Sequence, residues 1–175
     1  DFGSENAVTA NAIHGLGLVY YEEQNLELTE ELLLRAYNIS KKTLSTQASQ
    51  TINHAGILAL FYKEQLRFAE AQSLYEEIYF AYKQKNNPNH PKYIESMNDL
   101  VEVYLELGLH NKALPLARAV YQHNKENLGE EHQETISATN NLGLVYHHIG
   151  DYAQAEPLFV RSLQLQEQIF GSQHK

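Results

Sequence analysis

The chain repeats itself at an interval of 42 residues, and that period constrains its fold more than any other feature. Displaced by 126 positions, Leu16-Gly17-Leu18-Val19-Tyr20 falls on Leu142-Gly143-Leu144-Val145-Tyr146, identical at each position. Displaced by 168, Phe2-Gly3-Ser4 falls on Phe170-Gly171-Ser172. Single steps of 42 give one column of Leu16, Leu58, Leu100 and Leu142, and another of Tyr20, Tyr62, Tyr104 and Tyr146. Further columns hold Leu32, Leu74, Leu116 and Leu158, and Tyr37, Tyr79, Tyr121 and Leu163.

Inside each repeat the apolar spacing is helical. Leu142, Val145, Tyr146 and Ile149 lie at offsets of three, four and seven, and the pattern restarts at Tyr152. Gly150 reads as a helix stop, and Asp151 with Gln154 as a capping box. Each repeat is therefore helix A, a short turn and helix B. The expected A helices span 7–22, 49–64, 91–106 and 134–148; the B helices span 27–44, 68–86, 110–127 and 152–169. Four repeats, near 6–47, 48–89, 90–131 and 132–173, make one array over 1–175. The fold class is all-α, a right-handed α-solenoid. The chain starts and stops at the same repeat phase without a polar capping helix, so it is expected to be a piece of a longer array.

Gly17 and Gly143 fall mid-helix, where Gly costs about 1 kcal/mol relative to Ala. A close approach of helix B to helix A is the expected reason, with Ala71, Ala113 and Ala155 supplying small residues from the other side. Pro115 and Pro157, 42 apart, lie just past the first turn of their B helices, where a Pro removes one backbone donor and can bend the helix entry; Glu31 and Ser73 fill the same column elsewhere, so the bend is not required.

The run Thr139-Asn140-Asn141-Leu142-Gly143-Leu144-Val145-Tyr146, followed by Gly150-Asp151-Tyr152 and Ala155-Glu156-Pro157-Leu158-Phe159, resembles the kinesin light chain type of tetratricopeptide repeat. Leu128-Gly129, His132 and His90-Pro91 fit the same pattern. The likeness covers the whole chain and weakens in the second repeat, where Leu66 replaces the turn Gly and Asn86-Asn87 replaces Leu-Gly. It specifies fold better than function, because such repeats serve in many settings.

The resemblance implies that the A helices line a concave face. It places there Asn11, Asn53, Glu95 and Ser137; His14, Gly56, Asn98 and Asn140; Gly15, Ile57, Asp99 and Asn141; and Leu18, Leu60, Glu102 and Leu144. Tyr21, Lys63, Leu105 and His147 follow one turn later. The expected partner-binding residues are Asn11, His14, Asn53, Glu95, Asn98, Asp99, Glu102, Asn140, Asn141 and His147. Asn suits such a face because its amide donates to a backbone carbonyl while accepting from a backbone N–H. Repeats of this family that clamp a terminal carboxylate need Lys or Arg on these columns, where only Lys63 stands. Kinesin light chains hold acidic cargo with basic residues, whereas this face carries Glu95, Asp99, Glu102 and Glu106. A neutral or basic protein or peptide partner is therefore expected.

Charge and composition exclude other classes. A net charge of −9, with no basic stripe, opposes nucleic-acid binding. No apolar run is long enough for a membrane span. The absence of Cys removes thiolate metal sites and fits a cytoplasmic setting. Among nine His there is no helical pair at offset four with a nearby carboxylate, and His90, His132 and His174 mark the loops between repeats, so no metal or cofactor is expected. The GxG at Gly15 and Gly17 lies within a helix, the wrong context for phosphate binding, and no nucleophile motif occurs. The leading expectation is a non-enzymatic interaction module. The alternatives are a regulatory arm of a larger enzyme, such as a protease or signalling ATPase, contacting another domain in cis, and self-association through uncapped ends.

Overall fold

The computed structural model describes residues 6–85 and 90–172, with the side chains of 170–172 left aside. Eight helices follow one another: α1 (Ala7–Glu22), α2 (Leu26–Thr43), α3 (Ser49–Glu64), α4 (Phe68–Gln84), α5 (Pro91–Glu106), α6 (His110–Leu128), α7 (Gln133–His148) and α8 (Tyr152–Ser172). No strand occurs among the described residues. The A helices match the sequence expectation within one residue, and the B helices within three. The largest difference is α8, whose helix runs on through Phe170, Gly171 and Ser172. Phe2-Gly3-Ser4, Asn86-Asn87 and His174 lie outside the described residues.

The chain divides into two compact units, 1–87 and 88–175. In the first, α1 packs on α2, α2 on α3 and α3 on α4; in the second, α5 packs on α6, α6 on α7 and α7 on α8. The repeat columns form the cores. Leu58, Leu100 and Leu142 are buried, each contributing roughly 1.5–3 kcal/mol, and so are Ala71, Ala113 and Ala155. Tyr62, Tyr104 and Tyr146 are buried too, each with a cation over its ring: Arg67 at 4.4 Å, Lys112 at 5.3 Å and Arg118 at 5.4 Å.

The two mid-helix glycines mark tight crossings. A Cβ on Gly17 would lie 3.1 Å from Leu33, and one on Gly143 would lie 3.0 Å from the Phe159 ring. In the third repeat the same two columns hold Val101 and Ala117, both buried, so the bulk moves from helix B to helix A. Pro115 and Pro157 sit within uninterrupted helices.

The turn inside each repeat has one solution. Gln24, Leu66, Gly108 and Gly150, one column at intervals of 42, all adopt positive φ, at 59°, 58°, 70° and 81°. The left-handed residue lets the next backbone N–H reach back into helix A: Asn25, Arg67, Leu109 and Asp151 donate to Tyr20, Tyr62, Tyr104 and Tyr146. The second repeat thus keeps the turn geometry without the glycine. Helix starts are capped as the sequence suggests at Asp151, whose side chain accepts from the Gln154 amide at 3.3 Å. His90 and His132 cap α5 and α7 through Nδ1, accepting from Lys92 N–H at 3.1 Å and Glu134 N–H at 3.3 Å.

Candidate functional site

The second unit contains a groove of about 790 Å³. Two A helices supply its walls, with Glu95, Asn98 and Glu102 from α5 and Gln133, Glu134, Ser137, Asn140 and Asn141 from α7. Helix α6 supplies Val120, His123, Asn124 and Leu128, while Gln166 of α8 closes one side. Ile94 and Val120 are buried and give the groove an apolar floor.

The period of 42 stacks Asn98 and Asn140 on successive A helices. The Asn98 amide donates to Glu102 Oε1 at 3.1 Å, and its carbonyl oxygen accepts from the Asn141 amide at 3.2 Å. Asn98 and Asn141 are therefore held in a fixed ladder. Asn140 is half-buried and makes no side-chain hydrogen bond among the described residues, so its donors and acceptor are available in the groove. Asn124 is buried and donates to the Glu134 carbonyl at 3.3 Å, fixing α6 to the start of α7.

The charge of the groove is one-sided. Among the described residues, Glu95, Glu102 and Glu134 line it, and no Lys or Arg does. Glu95 is paired with Lys92 on its own helix at 2.8 Å, an exposed pair of small energetic weight.

Five expected residues, Glu95, Asn98, Glu102, Asn140 and Asn141, thus share one groove. Asp99, half-buried on α5, is not among its lining residues. His147 is exposed at the end of α7, with its ring 5.7 Å from His148 and 5.5 Å from Tyr152, also apart from the groove. In the first unit Asn11 and Asn53 are exposed, and Asn11 accepts from Gln50 at 2.8 Å. His14 corrects the expectation of a partner-facing residue. It is buried, because the ring of His54 on α3 stacks on it at 4.5 Å. Its neighbour His54 is fully enclosed and shares a 2.7 Å hydrogen bond with Ser40 of α2.

The B-helix contributors Val120, His123, Asn124 and Gln166 were not anticipated. The available signal was the column Ser40, Tyr82, Asn124 and Gln166, in which Ser40 and Asn124 bond to the next helix A within their own units. No group of three or more His, Asp or Glu that could hold a metal occurs among the described residues. Nor is any of their helices long and apolar enough to cross a membrane.

Paired helices, a shared left-handed turn and an A-helix groove define the class of helical-repeat proteins. The tetratricopeptide repeat signature matches residues 50–126 and 97–168, more than half of the chain, and the chain belongs to that family. No curated protein matches its sequence. Among solved structures it is similar to the nearly identical TPR-like repeats of a Podosopora anserina kinesin light chain homologue, with TM-score 0.81, 22% identity, and coverage of 95% of this chain and 79% of that one. It is similar to BtubC (BKLC) from P. vanneervenii, with TM-score 0.79, 17% identity, and coverage of 95% and 66%. A Rap protein complexed with competence and sporulation factor gives TM-score 0.63 at 14% identity, covering 91% of this chain and 43% of that one. The fold is that of an α-solenoid of kinesin light chain type.

Proposed function

We propose that the chain is a non-enzymatic interaction module that holds an extended protein segment against the A helices, with Asn98, Asn140 and Asn141 as the central contacts. The observation that carries this reading is the available Asn140 carboxamide beside an apolar floor, in a groove walled by carboxylates. An extended peptide exposes alternating N–H and C=O groups, and a carboxamide engages both. The apolar floor accepts one side chain, and Glu95, Glu102 and Glu134 favour a neutral or basic segment over an acidic one. A structure of similar fold, the Rap protein, is complexed with competence and sporulation factor, which supports a ligand-holding role. We place the module in the cytoplasm on its lack of cysteine.

The test is capture of partners from native lysate by the wild type and by an Asn98→Ala/Asn140→Ala variant shown to be folded. A protein held by the first and lost by the second supports the groove. Equal capture by both moves binding to another face.

A further inference from the structure

We propose that Leu66, with Leu26 beside it, forms a second interaction surface, on the helix-turn edge of the first unit, and that this surface takes a basic amphipathic helix of a partner protein. The observation is a leucine that is strained and exposed at once. Leu66 stands at φ 58° and is 74% exposed. The same turn is made elsewhere by Gln24, Gly108 and Gly150, which put no apolar side chain into water. A left-handed backbone strains a leucine, and exposure of its side chain returns nothing. Strain of this kind clusters where a function uses it.

The neighbouring bonds hold Leu66 outward in one place. Before it, Glu64 accepts from the Tyr21 hydroxyl at 2.5 Å; after it, Arg67 donates to Glu30 of α2 at 2.6 Å. Both bonds tie this turn to the first repeat. Leu26, 42% exposed, lies one turn before Glu30 on the same face of α2, so the Arg67 contact brings the two leucines to one edge. The edge lies at the far end of α1 and α4 from residues 6 and 85, roughly 24 Å away along helices of 16 and 17 residues. The exposure of Leu66 therefore owes nothing to the start of α1.

The surrounding chemistry selects the occupant. Glu22, Glu23 and Glu27 flank the first turn, exposed and without an ion pair among the described residues. Arg67 is already paired with Glu30 and Glu70, and Lys63 is the other cation of the two turns. The edge thus attracts a partner carrying Lys or Arg. The N–H groups of Gln24, Asn25, Leu66 and Arg67 all donate into the preceding helix A. An extended segment would find no backbone donors there, whereas a helix satisfies its own backbone and brings only side chains. The apolar stripe of an amphipathic helix covers Leu66 and Leu26, while Lys or Arg along its flanks reach the carboxylates. This surface is independent of the α5–α7 groove and of what that groove holds.

Fluorescence anisotropy with a labelled synthetic helix of leucine and lysine, its leucines in one stripe, tests the proposal. The wild type should bind it more tightly than a counterpart with glutamate in place of lysine. Leu66→Gly keeps every charge and relieves the turn, so it should stay folded with a raised denaturation midpoint and yet lose affinity by about tenfold. Glu22→Lys/Glu23→Lys, at the end of α1 where lysine suits the helix dipole, should weaken binding of the lysine helix and strengthen that of the glutamate helix. Asn98→Ala/Asn140→Ala should bind as the wild type does. Equal binding by Leu66→Gly and the wild type overturns the proposal. So does loss of binding in the Asn98→Ala/Asn140→Ala variant, which would put the synthetic helix in the groove. A wild type that binds neither helix overturns it as well.

Discussion

The imidazole of His14 stacks on that of His54, with ring centroids 4.5 Å apart and planes 28° from parallel, where the first repeat packs on the second. Burial, then the charge of His14, pushes His54 down to about 4 from its ordinary 6.5, against the Ala36 carbonyl, which favours the protonated ring. Burial also lowers His14. In the unfolded chain both rings take up protons near 6.5, while folded His54 does so only near 4. Between those values the unfolded state binds more protons, so stability is full above 6.5 and is lost as pH falls toward 4. The loss should reach roughly 3 kcal/mol. Urea denaturation at several pH values measures it, and Ser40→Ala/His54→Leu should flatten the dependence.

Leu66 holds φ at 58° in a turn where two other repeats use glycine, and its side chain is 74% exposed. It bears left-handed strain that no burial of its side chain offsets. Leu66→Gly should stabilise the chain by about 1 kcal/mol, and Gly108→Ala should destabilise it by a similar amount. Both appear as shifts of the denaturation midpoint without a change of slope.

Gly143 and Phe159 meet so closely that a Cβ would touch the ring at 3.0–3.2 Å. Gly143→Val should cost about 1–3 kcal/mol by overpacking. Phe159→Ala in that background recreates the Val101 and Ala117 arrangement of the third repeat and should recover part of the loss. The two substitutions should therefore be strongly non-additive in a double-mutant cycle.

Leu100 is fully buried, whereas Asn140 is half-buried and faces the groove. Leu100→Ala should cost roughly 2–5 kcal/mol. Asn140→Ala should change stability by less than about 0.5 kcal/mol, because it breaks no internal hydrogen bond. Equal destabilisation by the two would contradict the division between core and groove.

Much of the fold was legible because the period fixes which residues share a column, and helical spacing fixes where each helix lies. The left-handed turn at Leu66 was not, since local propensity argues against it and only backbone reach to Tyr62 enforces it. The groove was legible in part. Columns identify a side of a helix but not its depth, so Asn98 and Asn140 were found while His14, from the same column, proved buried. Its fate depends on His54, a residue 40 positions away that fills the space above it. Asn124 and Gln166 were missed because the resemblance assigns the groove to A helices alone, whereas the side chains of α6 and α8 reach into it.

The most direct test of the central claim is selection from a displayed library of random peptides, run in parallel on the wild type and on Glu95→Lys/Glu102→Lys. The account predicts that the wild type enriches neutral or basic sequences carrying an apolar residue, and that the charge-reversed protein loses them. Enrichment of acidic sequences by the wild type, or the same sequences on both proteins, would contradict it.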